Sequence, residues 1–452
     1  MTELKLPIAK EISCDVLVLG GGAAGIASAV ASARHGADTI LADQNGHLGG
    51  TATAGLVAPF MTSYNVEGTI QLIRGFYDEL ITRMEQEGGA VHPSKGTINS
   101  AYTAYRTAGH QNLAAFEYET LKRVSEEICK ESGVRLMYHV TFLTCDTENG
   151  RITAAYFATK AGIYKITAKM FIDCSGDADL ADKAGAPTVY GNGEGDVQAV
   201  SLFFTVRGVD KAKMDAHMHS APDVETKFYM KEIVEEREKG NYPLYRNKIM
   251  LFEGFGGEWV VNMAQVDGVN GLVPEEVTAA EMTSRQQIGY ILRFLRKYVA
   301  GCENVELAKS AASLGVRETR RIIGVYNTKK EDAQNSVRFD DAIFCCANSM
   351  DIHTKGYVNY VARKSTDPYY IPYRSLLPLK VDNLLVAGRC AAGDREVLAA
   401  IRVMPPCFAM GQAAGTAAAL SLRDGVMPKE LCVKTLVDTL LADGVYIHGV
   451  SN

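Results

Sequence analysis

The chain has 452 residues, 47% hydrophobic and 22% charged, a globular composition with apolar content for two or three interlocked cores. Its formal net charge is −6 with no basic run, which argues against a nucleic-acid partner or an anionic membrane surface. No signal-peptide pattern opens it, no apolar run approaches ~18 residues, and its 10 cysteines show neither C-x-x-C nor zinc spacing; a cytoplasmic protein with reduced thiols, no membrane span and no metal is expected.

Residues 16–19, Val-Leu-Val-Leu, predict a parallel strand buried on both faces, and Gly20, Gly22 and Gly25 follow it at G-x-G-x-x-G spacing. Gly20 permits the tight turn, Gly22 the close approach of a pyrophosphate, and Gly25 the packing of helix on strand; Ala24 lies in the same phosphate-facing turn. Unpaired N–H groups and the macrodipole at the helix start favour the anion. The helix is predicted over 23–35 with Gly36 ending it, and a second strand over 39–42. Asp43 follows near the ~20-residue offset at which a carboxylate takes the ribose hydroxyls of an adenine nucleotide.

Gly46, Gly49, Gly50 and Thr51 then form a loop whose backbone can pass a pyrophosphate and a ribityl chain. An amphipathic helix is predicted over 68–88, where Ile70, Ile73, Tyr77, Leu80, Ile81 and Met84 recur at helical steps, then a loop over 89–112. A helix over 116–132 leads to strands over 134–143, 152–159, 162–167 and 170–173, the last ending in a glycine turn at Gly176. Residues 199–338 read as a separate α+β region with strands over 201–207 and 259–263 and a long helix over 274–299. The chain closes with a buried strand ending at Gly388, the pair Gly393-Asp394, and a helix that Pro405 and Pro406 start beside Arg402. That positive helix end would stabilise charge on a reduced flavin, so these late segments, with Asp394 and Pro405, point to FAD rather than a nicotinamide.

The runs 14–53, 171–187, 315–324, 371–378 and 383–418 resemble the bacterial FAD-dependent oxidoreductase family related to the fumarate reductase flavoproteins. The resemblance implies an α/β fold: a Rossmann-like FAD domain of the glutathione reductase type, interrupted by an α+β substrate domain. The expected division is 1–60, 113–198 and 380–452 for FAD, 61–112 as a helical cap, and 199–379 for substrate. It further implies that Gly20, Gly22, Gly25, Asp43, Gly49, Gly50, Thr51, Gly176 and Gly388 hold FAD, with the Val140 backbone pairing with adenine. Gly50 stands where flavins joined through histidine carry that residue, so FAD is expected to be non-covalent. Arg389 replaces the fumarate reductases' glutamate, Arg395 a histidine common among nearer relatives, and no cysteine pair follows Thr51 as in the disulfide reductases.

Hydride exchange at flavin N5 needs a proton acceptor or donor and groups to hold substrate charge. His353 is the side chain most easily tuned for the proton, Tyr373 can share that role, and Arg374 or Arg402 can bind a carboxylate or enolate oxygen. Arg317, Arg320 and Arg321 read as an anion clamp or as ion pairs between domains, His217 and His219 as a solvated face, and Cys345 and Cys346 as packing. Two reactions remain open: oxidation of an alcohol or amine of sugar or hydroxy-acid type, and reduction of an activated C=C bond. An electron-transfer subunit working with a partner is the alternative of another class. The substrate is a small molecule, its electron acceptor is undetermined, and a homo-oligomer is allowed.

Overall fold

A computed structural model describes residues 6–95, 112–354, 357–362, 364–447 and 449. Most of the loop predicted over 89–112 lies outside these residues. The central sheet runs Arg135–Met137, Thr39–Ala42, Ile8–Leu19, Gly162–Asp173, all parallel, with Leu384–Val386 as a fifth parallel strand beside Gly162–Asp173. The early half of Gly162–Asp173 pairs instead with Arg151–Thr159, which pairs with Thr141–Glu148, both antiparallel. One strand thus serves two sheets' worth of partners, because its late residues Met170 to Asp173 are buried and its early ones half-exposed. Sequence periodicity divides it into 162–167 and 170–173; the structure shows it continuous.

Four strands end together at Gly20, Asp43, Cys174 and Ala387, each following the last residue of its strand. This is the edge where an open α/β sheet binds its ligand. Helix Ala23–Arg34 lies on the sheet and helix Met404–Asp424 on that helix. Residues Met404 to Ser421 are buried all round, as a central helix requires. Short helix Arg395–Ile401 meets this helix at 95°, and no single described helix is long and apolar enough to cross a membrane.

The second region holds an antiparallel sheet in the order Glu306–Ser310, Val200–Arg207, Trp259–Val266, Leu251–Glu253. Helix Pro274–Tyr298 is pinned to it where the Gln287 amide bonds both the N–H (2.7 Å) and the C=O (2.9 Å) of Gln265. The predicted 68–88 helix is shorter, Phe76–Gln86. Asn65 Oδ1 accepts the N–H groups of Thr69 and Ile70 at 2.8 Å, closing a loop instead, and Gly75 at φ +62° separates loop from helix.

Candidate active site

The turn at the end of Ile8–Leu19 is built of backbone alone. Gly20 has φ +99°, and a Cβ there would lie 2.5 Å from the Cys174 carbonyl oxygen; one on Gly25 would lie 1.7 Å from the Gly20 carbonyl oxygen. Protein packing therefore accounts for these two glycines. Gly22 differs: its backbone is extended, and a Cβ there would meet nothing nearer than the Gly50 Cα at 3.9 Å. The missing side chain keeps space open in front of helix Ala23–Arg34, whose Gly22 N-cap makes no side-chain cap bond.

Gly49 and Gly50 close the other wall. The Gly49 N–H donates to the Gly21 carbonyl at 2.9 Å, and a Cβ on Gly50 would come within 2.8 Å of Gly22 Cα, so two glycine loops lie face to face with Thr51 exposed at the rim. Asp43 is buried and accepts from the Gly21 N–H and from Asn45. Gly388 approaches Ala24: its Cβ would stand 3.2 Å from Ala24 Cβ. This cradle fits a dinucleotide diphosphate, which needs N–H groups, a helix start and no side chains.

Three of the expected contact residues have protein partners of their own. The Val140 N–H donates to the Asp43 carbonyl at 3.2 Å, so a contact with adenine falls to its carbonyl. Gly176, at φ +81°, faces the Arg389 guanidinium, which pairs with Asp177 at 2.6 Å. The Asp394 Oδ2 accepts the Lys330 N–H at 2.9 Å.

Pro405 lies in the first turn of Met404–Asp424, as predicted. Gly411 and Gly415 of this helix meet the backbones of Ala24 and Ser28, so the two helices run parallel. Met404 stands seven residues before Gly411, and its helix start projects ~10 Å beyond that of Ala23–Arg34. Arg402 and Val403 immediately precede the start of Met404–Asp424.

There the structure gathers a polar cluster. Gln198 Oε1 accepts from the His353 N–H at 3.1 Å and from Arg402 Nη2 at 3.3 Å. Asp351 and His353 share a face of strand Met350–Thr354, and Asp351 Oδ2 lies 2.9 Å from His353 Nε2. Arg317 Nη1 bonds the Ala199 carbonyl and Ser201 Oγ. Glu318 takes the Gln198 N–H at 2.9 Å and a bidentate Arg395. His353 Nδ1 and Arg402 Nε are buried with no hydrogen-bond partner. Burial, then the charge of Arg317, holds the His353 imidazole down to about 3 against the pull of Asp351, so the ring is neutral. Burial likewise lowers Arg402.

Tyr373 and Arg374 do not join them. The Tyr373 hydroxyl is buried and donates to the Pro428 carbonyl at 2.9 Å, and burial raises its pKa far above the ordinary value, so it is a core residue. Arg374 stacks over Tyr326 (4.8 Å) and Phe339 (5.5 Å) beside Asp341. Both lie in the 3-10 turn Tyr373–Leu376 that follows strand Tyr369–Pro372, where one side chain enters the core and the other stacks on Tyr326 and Phe339. Of the arginine triplet, Arg320 pairs with Asp179 and Asp182 at 2.6 Å, and Arg321 holds the Gly393 carbonyl at 3.0 Å. His217 stacks on Tyr229 at 4.6 Å, His219 bonds the Asp215 carbonyl at 2.7 Å, and no cluster of metal-ligating groups occurs among the described residues. Gln198 and Asp351 were not singled out in the sequence, whereas His353 was.

Residues 15–440 match the family model described as FAD dependent oxidoreductase. The chain belongs to that family. It is an FAD-dependent enzyme, and the glycine cradle is where its dinucleotide fits. No curated protein matches it. Among solved structures it is similar to a geranylgeranyl bacteriochlorophyll reductase-like protein from Thermoplasma acidophilum, with 12% identity, 97% and 93% of the two chains covered and a TM-score of 0.47. It is also similar to p-nitrophenol 4-monooxygenase from Pseudomonas putida DLL-E4, with 10% identity, 98% and 91% covered and a TM-score of 0.48.

Proposed function

We propose that this FAD enzyme oxidises the alcohol of a small anionic substrate, of hydroxy-acid type, with FAD held non-covalently in a glutathione-reductase-type arrangement. The carrying observation is the buried His353 ring, its Nε2 on Asp351 at 2.9 Å and its Nδ1 without a partner, in a residue that Gln198 ties to Arg402. Bound FAD supplies a two-electron acceptor for hydride at N5. His353 Nδ1 takes the hydroxyl proton, and Asp351 at Nε2 orients the ring and stabilises the imidazolium formed. Arg402 and Arg317 oppose the substrate carboxylate. Because Arg317 is among the groups that depress His353, an anion bound there raises the basicity of His353 as substrate arrives.

Gly22, Ala24, Gly49, Gly50 and Thr51 would hold the diphosphate and ribityl chain on the turn that Gly20 and Gly25 shape, Asp43 the ribose, and the start of Met404–Asp424 with Arg402 the charge on the reduced ring. The test is an anaerobic screen of the holoenzyme. Secondary hydroxy acids are expected to bleach the flavin and enoates to leave photoreduced flavin unchanged. The reverse pattern overturns the reading.

A further inference from the structure

Beside the buried, unpartnered Arg402 Nε and His353 Nδ1 stands a third group of the same kind. Asn348 is 2% exposed, and both the oxygen and the nitrogen of its amide lack a hydrogen-bond partner among the described residues. The fold places it at the start of Met404–Asp424. Ala342 pairs with Pro372, and the hydroxyl of the next residue, Tyr373, reaches the Pro428 carbonyl just beyond the end of that helix. Strand Ala342–Cys346 packs on the helix, so it runs from the helix end back toward the helix start. Strand Met350–Thr354, which carries His353, packs on the preceding helix, Arg395–Ile401. Asn348 stands in the link between these strands, and Arg402 and Val403 form the corner between these helices. The buried Tyr369 hydroxyl donates to the Asn348 carbonyl at 3.1 Å and holds the link in place.

A buried amide with neither end satisfied is costly, and such a group calls for a ligand. An amide sets an N–H donor beside a C=O acceptor, so only a partner that offers an acceptor beside a donor meets both. A carboxylate offers acceptors alone and would leave the Asn348 oxygen unmet. The single hydroxyl of a hydroxy acid is assigned to His353 Nδ1. The pyrimidine ring of a flavin carries an N3–H between two carbonyls, an edge that pairs with an amide in either direction.

We infer that Asn348 is a flavin-binding residue whose amide recognises the pyrimidine edge of FAD, accepting from N3–H and donating to a neighbouring ring carbonyl. The inference rests on FAD as the cofactor of this chain, and on the proposed alcohol oxidation only in leaving the substrate hydroxyl to His353.

The test is a fluorescence titration of the full-length apoprotein with FAD and with FAD methylated at N3. The methyl group removes the donor that Asn348 accepts, so wild type should bind N3-methyl FAD at least ~10-fold more weakly than FAD. Asn348→Ala should weaken FAD by a similar factor and bind the two flavins alike. A merely structural role would weaken both flavins together and keep the preference. If Asn348→Ala does not fold, Asn348→Leu, which is closer in volume, serves instead with the same expectation. Equal binding of the two flavins by wild type, a preference for FAD kept by the variants, or a loss of hydroxy-acid affinity without any change in flavin discrimination overturns the inference. Failure of hydroxy acids to bleach the flavin, with the N3-methyl discrimination intact, would sink the His353 reading alone.

Discussion

Ala24 and Gly411 meet backbone to backbone: a Cβ built on Gly411 would lie 2.1 Å from the Ala24 carbonyl oxygen. This contact sets the offset between the two helix starts that face the groove. Gly411→Ala must push the helices apart, and overpacking of a tight core costs ~1–3 kcal/mol or more. A lower Tm together with a weaker FAD affinity is expected; an unchanged Tm would show that the helices are not locked here.

Gly22→Leu separates ligand space from protein space. Because a Cβ at Gly22 meets nothing nearer than the Gly50 Cα at 3.9 Å, the variant should fold with the Tm of the wild-type apoprotein yet be purified colourless. Gly25→Ala should instead damage folding itself, since its Cβ would lie 1.7 Å from the Gly20 carbonyl oxygen. Thermal unfolding of the apoproteins and flavin absorbance distinguish the two outcomes.

The buried imidazole links stability to pH. His353 is held near 3 in the folded chain, against an ordinary value of 6.5 that the unfolded chain regains. Below pH 6.5 the unfolded state therefore takes up a proton that the folded state refuses. The contribution is complete above pH 6.5 and drains away as pH falls toward 3. At ~1.4 kcal/mol per pH unit, roughly 3 kcal/mol is lost between pH 6.5 and pH 4. Denaturant unfolding of substrate-free wild type and His353→Gln at both pH values should show the variant's loss smaller by about that amount. Equal losses would mean that the ring is solvated.

Arg402→Met keeps an unbranched apolar stem and removes the guanidinium and its charge beside the start of Met404–Asp424. If that charge stabilises the reduced flavin, the two-electron potential should fall by on the order of 30 mV for each ~1.4 kcal/mol lost. A spectroelectrochemical titration that finds no shift would assign Arg402 to substrate alone.

Tyr373→Phe should leave turnover unchanged and cost on the order of 1 kcal/mol, the worth of its bond to the Pro428 carbonyl. A large loss of kcat with full stability would restore Tyr373 to the site.

The cradle was legible because it is local. Gly20, Gly22 and Gly25 act through their own backbone and near neighbours, so spacing along the chain carries the geometry. His353 and Arg402 were legible by chemical type, and the structure joins them through Gln198, which no spacing marks because it stands more than 150 residues from one and more than 200 from the other. Tyr373 and Arg374 were misplaced for the complementary reason: a residue's chemistry does not reveal which way a short turn aims it, and the 3-10 turn Tyr373–Leu376 carries both to other partners. The helix predicted to begin at 68 failed because helical periodicity is insensitive to an asparagine that closes a loop and to a glycine at positive φ, as at Asn65 and Gly75.

The most direct measurement is anaerobic stopped-flow bleaching of the bound flavin by a hydroxy acid, comparing wild type with His353→Gln. Loss of the proton acceptor should slow bleaching by ~10²–10⁴-fold while the variant retains its full complement of FAD. Bleaching of the variant at the wild-type rate would contradict the account.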